Sequence, residues 1–139
     1  MGTLLLLYNS PRVRRYFQTL ARELPGPALP GLHCVVRRVG VAWRPRHVAA
    51  STVAQIIDYG LRRKRARPSM GPLRLAFYGR VYAAAARLHY RHALGLIDRL
   101  RPVAVGVWGG NAVDVRAVEW AARDRGVPCI RFENGTLPD

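Results

Sequence analysis

The chain has 139 residues, enough for one domain, and half of them are hydrophobic against 22% charged, which excludes wholesale disorder. No stretch of about 18 uncharged apolar residues occurs, which excludes a bilayer-spanning helix. Twenty-three Lys and Arg stand against eight Asp and Glu, a net charge of +15, and all the basic residues but Lys64 are arginine. The run Leu4 to Leu7 sits too near Met1, with no basic segment before it, to read as a signal peptide. The expectation is a soluble, cytoplasmic, single-domain chain. Cys34 and Cys129 lack the spacing of a zinc site or redox pair and are too few for a disulfide scaffold. They are expected as free, buried thiols.

The first element in chain order is a strand. TLLLLY (Thr3 to Tyr8) is continuously apolar and ends at Asn9-Ser10-Pro11, the pattern of a strand covered on both faces in a parallel sheet. Ser10 is a helix cap with Pro11 at the first helical position. Val13, Tyr16, Phe17, Leu20 and Leu24 then recur at helical spacing until LPGPALPG stops them. LHCVVRRV (Leu32 to Val39) reads as a second strand, and His47 to Leu61 as a second helix through Val48, Val53, Ile56 and Ile57. The tract RRKRARPSMGP, residues 62–72, reads as a basic linker.

Pro72 opens the longest helical pattern, expected to reach Arg101 with an interruption near Gly79 or Gly95. Leu75, Tyr82, Ala86, Ala93, Ile97 and Leu100 fall on one face, and Arg80, Arg87, Arg91 and Asp98 on another. Because most of its circumference is apolar, this helix is expected to be well covered. VAVGVW (Val103 to Trp108) is a buried-type strand, followed by a Gly109-Gly110 turn. Asn111 is the expected N-cap, with Asp114 in a capping-box position, and Gly126 the C-terminal stop. Cys129 to Phe132 is a last short strand. The order β-α-β-α-α-β-α-β predicts an α/β fold with a Rossmann-like parallel sheet.

Charge is distributed unevenly along these elements. Residues 1–110 carry 19 basic against 3 acidic groups, a net of +16, and residues 111–139 a net of −1. Between Tyr59 and Ile97 there is no acid, while Arg62, Arg63, Lys64, Arg65, Arg67, Arg74, Arg80, Arg87 and Arg91 all occur. Such a field attracts polyanions, anionic lipid surfaces or phosphorylated substrates, and it is equally what a solvated basic loop looks like.

In open α/β sheets ligands approach the carboxyl ends of the strands. Three such ends supply the candidate binding residues: Asn9 and Ser10, then Gly109, Gly110 and Asn111, then Asn134 and Gly135. The two central glycines let a ligand approach the backbone and suit a plain tight turn as well. Glu133 is a carboxylate on a rigid strand end, placed to exchange a proton with a sugar hydroxyl; the same position suits a turn-capping acid. Neither GxGxxG, nor GxxxxGK[ST], nor GxSxG is present. The four histidines (His33, His47, His89, His92) have no third ligand by local spacing, so neither a metal nor a cofactor is implied.

The stretch from Val103 to Pro138 resembles the capsule polysaccharide biosynthesis (Kps-type) family. The likeness lies in a strand ending Trp108-Gly109-Gly110, an Ala-rich helix carrying Arg116, and a strand ending Phe132-Glu133-Asn134-Gly135 before Leu137-Pro138. It implies the N-terminal lobe of a two-lobed GT-B glycosyltransferase. Such an enzyme moves 3-deoxy-D-manno-octulosonic acid (Kdo) from a CMP-activated donor to a lipid-linked acceptor at the inner face of the inner membrane. The acidic motif is also similar to that of GT-B sialyltransferases, and by this resemblance Glu133 becomes the catalytic residue, with Asn134 and Gly135 shaping its loop. A second lobe is expected to hold the nucleotide sugar, since the residues that would grip CMP are missing; the chain then reads as an N-terminal lobe, either a truncated product or half of a split enzyme whose other lobe is encoded separately. The implied partners are a lipid-linked or anionic saccharide acceptor and an anionic inner-membrane surface met by Arg62, Arg63, Lys64, Arg65 and Arg67. Two other classes stay open: a basic nucleic-acid-binding module using the same cations on phosphates, though without a helix-turn-helix, RNP, KH or zinc-finger signature, and a nucleotide-binding adaptor using only the Gly109-Gly110-Asn111 turn.

Overall fold

The computed structural model describes residues 2–44 and 46–134. Their elements are β1 (Gly2–Tyr8), α1 (Pro11–Glu23), β2 (Leu32–Arg38), α2 (Ala50–Arg65), α3 (Pro72–Leu100), β3 (Ala104–Trp108), α4 (Val113–Asp124) and β4 (Cys129–Phe132). The four strands form one sheet in the order β2-β1-β3-β4, every pair parallel. This is the expected Rossmann-like α/β arrangement, and its connections follow from β1. Leu4, Leu5, Leu6 and Leu7 are all buried, so this strand needs apolar cover on both faces.

The alternation of side chains divides that cover. Leu4 and Leu6 point into a cluster with Val13 and Phe17 of α1, joined by Trp108 and Phe132 from the neighbouring strands. Leu5 and Leu7 point the other way, with Val105 and Val107, against residues of α2, α3 and α4 such as Ile56, Tyr90, Ile97 and Val118. Phe17 meets Phe132 ring to ring at 5.4 Å, and Tyr16 meets Trp108 at 4.8 Å. Gly106 of β3 lies where a side chain has no room: a Cβ there would sit 2.6 Å from Leu6 Cδ2 and 3.0 Å from Phe132 Cε2.

Local signals place most boundaries. Ser10 caps α1, its hydroxyl accepting the Val13 amide at 3.3 Å, with Pro11 at the first position. Gly126, at φ 65°, closes the C-terminus of α4, the Val127 amide donating to the Ala122 carbonyl.

Several expectations need correction. Arg62 to Arg65 are not a linker but the last turn of α2, where cations meet the unpaired carbonyls of the helix end. α3 runs through Gly79 and Gly95 without interruption. Its outer face is uncovered: Leu73, Phe77 and Val81 are 88%, 64% and 45% exposed. The cap of α4 is Ala112, not Asn111, and no side chain caps it; the Asp114 carboxylate instead accepts the adjacent Val115 amide. Cys34 is half-buried and Cys129 exposed, so neither is the buried thiol expected. Both are free.

Polar clasps join the layers. Arg116 of α4 donates to the Ile56 and Gln55 carbonyls of α2. Asp98 of α3 accepts from Arg46 and from Arg125, and Tyr90 donates to Asp124. The bonds from Arg125, then from Arg46, hold the Asp98 carboxyl at about 2. Its ordinary value is 3.8, so the clasp is intact above about pH 4 and is lost as pH falls toward 2.

Two stability outcomes follow. Phe17→Ala should cost about 3–5 kcal/mol, and Gly106→Val about 1–3 kcal/mol through overpacking, both read as shifts of the urea midpoint. Asp98→Asn should lower stability at pH 7, and its acid limb between pH 4 and 2 should be flatter than that of the parent chain in the same titration.

Candidate functional site

In the order β2-β1-β3-β4, the connection from β1 leaves through α1 on one face and that from β3 through α4 on the other. The carboxyl ends of β1 and β3 are therefore the point at which adjacent loops diverge, where parallel sheets bind ligands. On the α4 side of this edge a cavity of about 760 Å³ opens between the C-terminal half of α2, the middle of α3 and the β3–α4 turn. Gly110, Asn111 and Ala112 form one wall, Tyr59, Arg63, Lys64 and Arg67 another, and Val81, Tyr82 and His89 a third. Asp114 is the single carboxylate in the lining.

The cations are held by their surroundings. Arg63 lies over the Tyr59 ring at 6.0 Å and the Lys64 ammonium over Tyr78 at 4.2 Å. Among the described residues, no carboxylate forms an ion pair with Arg63, Lys64 or Arg67. Arg62 is paired with Asp58 at 2.8 Å and is not part of the lining. Opposite the cations lies the start of α4, where the N-cap Ala112 offers no capping side chain and the Asp114 carboxylate takes the Val115 amide. Gly60 keeps α2 close to α3 here, since a Cβ would come within 3.1 Å of Tyr82. A cavity with three cations to one acid, at a strand-end turn, is chemically suited to phosphate or carboxylate groups.

The candidate residues separate accordingly. Gly110, Asn111, Arg63, Lys64 and Arg67 come together in the lining, while Arg65 is exposed and outside it. Asn9 is exposed and the Ser10 hydroxyl is committed to its helix cap, so the β1 turn stands apart from the cavity. Gly109, at φ 45°, donates its amide to the Phe132 carbonyl and ties the β3 turn to the end of β4. This places Glu133 one residue beyond the Trp108–Phe132 pair, on the same carboxyl edge. Glu133 and Asn134 are exposed and do not line the cavity. Gly135 lies outside the described residues.

Tyr59, Tyr82 and His89 are lining residues that sequence reasoning missed. The signal was present: Val53, Ile56, Ile57, Gly60, Leu61 and Lys64 continue one helical spacing straight through the basic tract. No group of three His, Cys, Asp or Glu able to hold a metal occurs among the described residues. Among the described residues, no helix is long and apolar enough to cross a membrane.

Fold and site together define a parallel α/β domain with an anion-suited cavity at its carboxyl edge. The chain matches no family model, no curated protein and no solved structure.

The left-handed turn beside the cavity carries a measurable cost. Gly109→Ala has space for its methyl group, the nearest atom being 3.9 Å away, so only backbone strain opposes it. It should lower stability by about 1–2 kcal/mol in thermal or urea unfolding while leaving the helical circular dichroism unchanged.

Proposed function

We propose that this chain is the acceptor-side lobe of a glycosyltransferase, moving a Kdo-like sugar from a CMP-activated donor to an anionic, lipid-linked acceptor. The observation that carries this reading is the cavity walled by Arg63, Lys64, Arg67 and the turn that leads into α4, with three cations against the single acid Asp114. It is suited to the phosphate or carboxylate of such an acceptor. The resemblance from Val103 to Pro138 supplies the reaction class. The donor belongs to a second lobe closing over the carboxyl edge.

Within this reading Glu133 is the general base. Its carboxylate takes the proton of the acceptor hydroxyl as that oxygen forms a bond to the anomeric carbon. The bond from the anomeric carbon to the phosphate oxygen breaks, and CMP leaves with the electron pair. Glu133 suits this role because β4 is anchored beneath it: Arg131 is bonded to Glu119 of α4 at 2.6 Å, and Phe132 packs into the aromatic cluster. Its exposure leaves the carboxylate open to a substrate arriving across the edge.

Calorimetric titration with free Kdo, used as an acidic-sugar mimic of the anionic acceptor, and with a neutral hexose tests the cavity. Kdo should bind in preference, and Arg63→Gln with Arg67→Gln should weaken it roughly tenfold or more, as expected for losing charge-assisted bonds. Glu133→Gln should leave that affinity unchanged while lowering transfer in the assembled two-lobe enzyme by about 10²–10⁴-fold. Unchanged Kdo binding in the double variant would remove the acceptor site. Selective binding of duplex DNA with a steep salt dependence would favour the nucleic-acid reading instead.

A further inference from the structure

The outer face of α3 is the largest feature that the sugar-transfer reading leaves unused. At 100° per residue, Leu73, Ala84, Phe77 and Val81 fall within an arc of about 80°, opposite the buried Ala86, Tyr90, Ala93 and Ile97. Leu73 and Phe77 have 88% and 64% of their surface in water, far more than a helix inside an α/β layer normally leaves uncovered. Arg74 borders the arc on one side, and Arg80 and Arg87 border it on the other. Farther along α3, the Ala42 amide donates to the Leu88 carbonyl at 3.1 Å, bringing alongside a loop whose Trp43 is 77% exposed. An apolar centre with a cationic rim on both sides is the pattern of a helix lying in the headgroup plane of an anionic membrane.

We infer that this chain docks on an anionic lipid surface through the outer face of α3, with Leu73, Phe77 and Val81 entering the headgroup boundary and Arg74, Arg80 and Arg87 reaching lipid phosphates. Charge chooses among the occupants such a face could have. No acid lies between Tyr59 and Ile97, so pairing two copies through this face would set two acid-free cationic surfaces against each other. A nucleic acid would answer the arginines but leave the aliphatic and aromatic centre in water or against phosphate. An anionic bilayer answers both, because long arginine stems extend to phosphate while the apolar centre moves out of water. The inference requires no transfer chemistry and stands apart from the proposed reaction.

Co-sedimentation with vesicles tests it, using phosphatidylcholine alone and phosphatidylcholine with about a third phosphatidylglycerol. The chain should partition to the anionic vesicles, and Trp43 emission should shift to the blue, the shift vanishing in Trp43→Phe. Leu73→Ser with Phe77→Ser, which leaves net charge untouched and lies outside the buried core, should weaken partitioning at least tenfold. Arg80→Gln with Arg87→Gln should weaken it most at low salt. Partitioning that survives the serine pair overturns the inference, since charge alone would then hold the protein. A dimer in sedimentation that the serine pair dissolves assigns the face to a second copy and overturns it equally. So does duplex DNA binding accompanied by indifference to anionic vesicles.

Discussion

Burial of four consecutive leucines on both sides of one strand is the constraint from which the architecture follows. Water must leave both faces of β1, and a parallel strand cannot be reached by a tight hairpin, so each connection passes through a helix that covers a face. Phe17 and Val13 serve one side, and α2, α3 and α4 serve the other. With β1 flanked by β2 and β3, the chain departs to opposite faces after neighbouring strands. The opening at the carboxyl edge is thus a consequence of how the leucines are covered, and a site there needs only suitable side chains.

The few acids explain why those side chains are cations without partners. Asp98 joins Arg46 and Arg125, Glu119 holds Arg131, Asp58 takes Arg62, and Asp124 accepts from Tyr90. Three of these four acids join separate elements, so the carboxylates that find partners mostly serve the tertiary structure. Arg63 and Lys64 are left with aromatic faces and the helix end of α2, which hold them without neutralising them, and Arg67 follows them into the cavity lining. Clustered like charges repel when the cavity is empty, and an anion relieves that repulsion.

The strands and most helix ends were legible because short-range chemistry marks them. Ser10-Pro11, Pro72, Pro102 and Gly126 act through local backbone geometry, and LLLL admits few environments. What was not legible depended on distant neighbours. The basic tract read as a linker because its side chains do not form a core, yet Lys64 and Arg63 rest on tyrosines and remain helical. Asn111 has the better capping side chain, but the Gly109 and Gly110 turn brings Ala112 to the helix start. Apolar residues on most of α3 suggested full cover, whereas periodicity records which faces could be buried and not whether a partner exists. For the candidate site, the turn and the cations were nameable in advance. Their meeting, and the exclusion of Asn9 and Ser10, came only from the faces taken by α1 and α4.

The two surfaces proposed to act are physically continuous. Val81 is at once part of the exposed arc of α3 and of the cavity wall, and Arg63 and Lys64 extend from α2 toward the same opening. A bilayer against α3 would therefore lie beside the mouth of the cavity, not behind it. An acceptor tethered to lipid could then present its anionic group to the three cations without leaving the membrane. The search would be confined to a plane, which raises the effective concentration of a tethered group at a neighbouring site. The same geometry gives the acid-free stretch of sequence a reason to be continuous: one run of the chain supplies both the cationic rim of the exposed arc and the cationic wall of the cavity, and an acid within that run would weaken anion attraction at both.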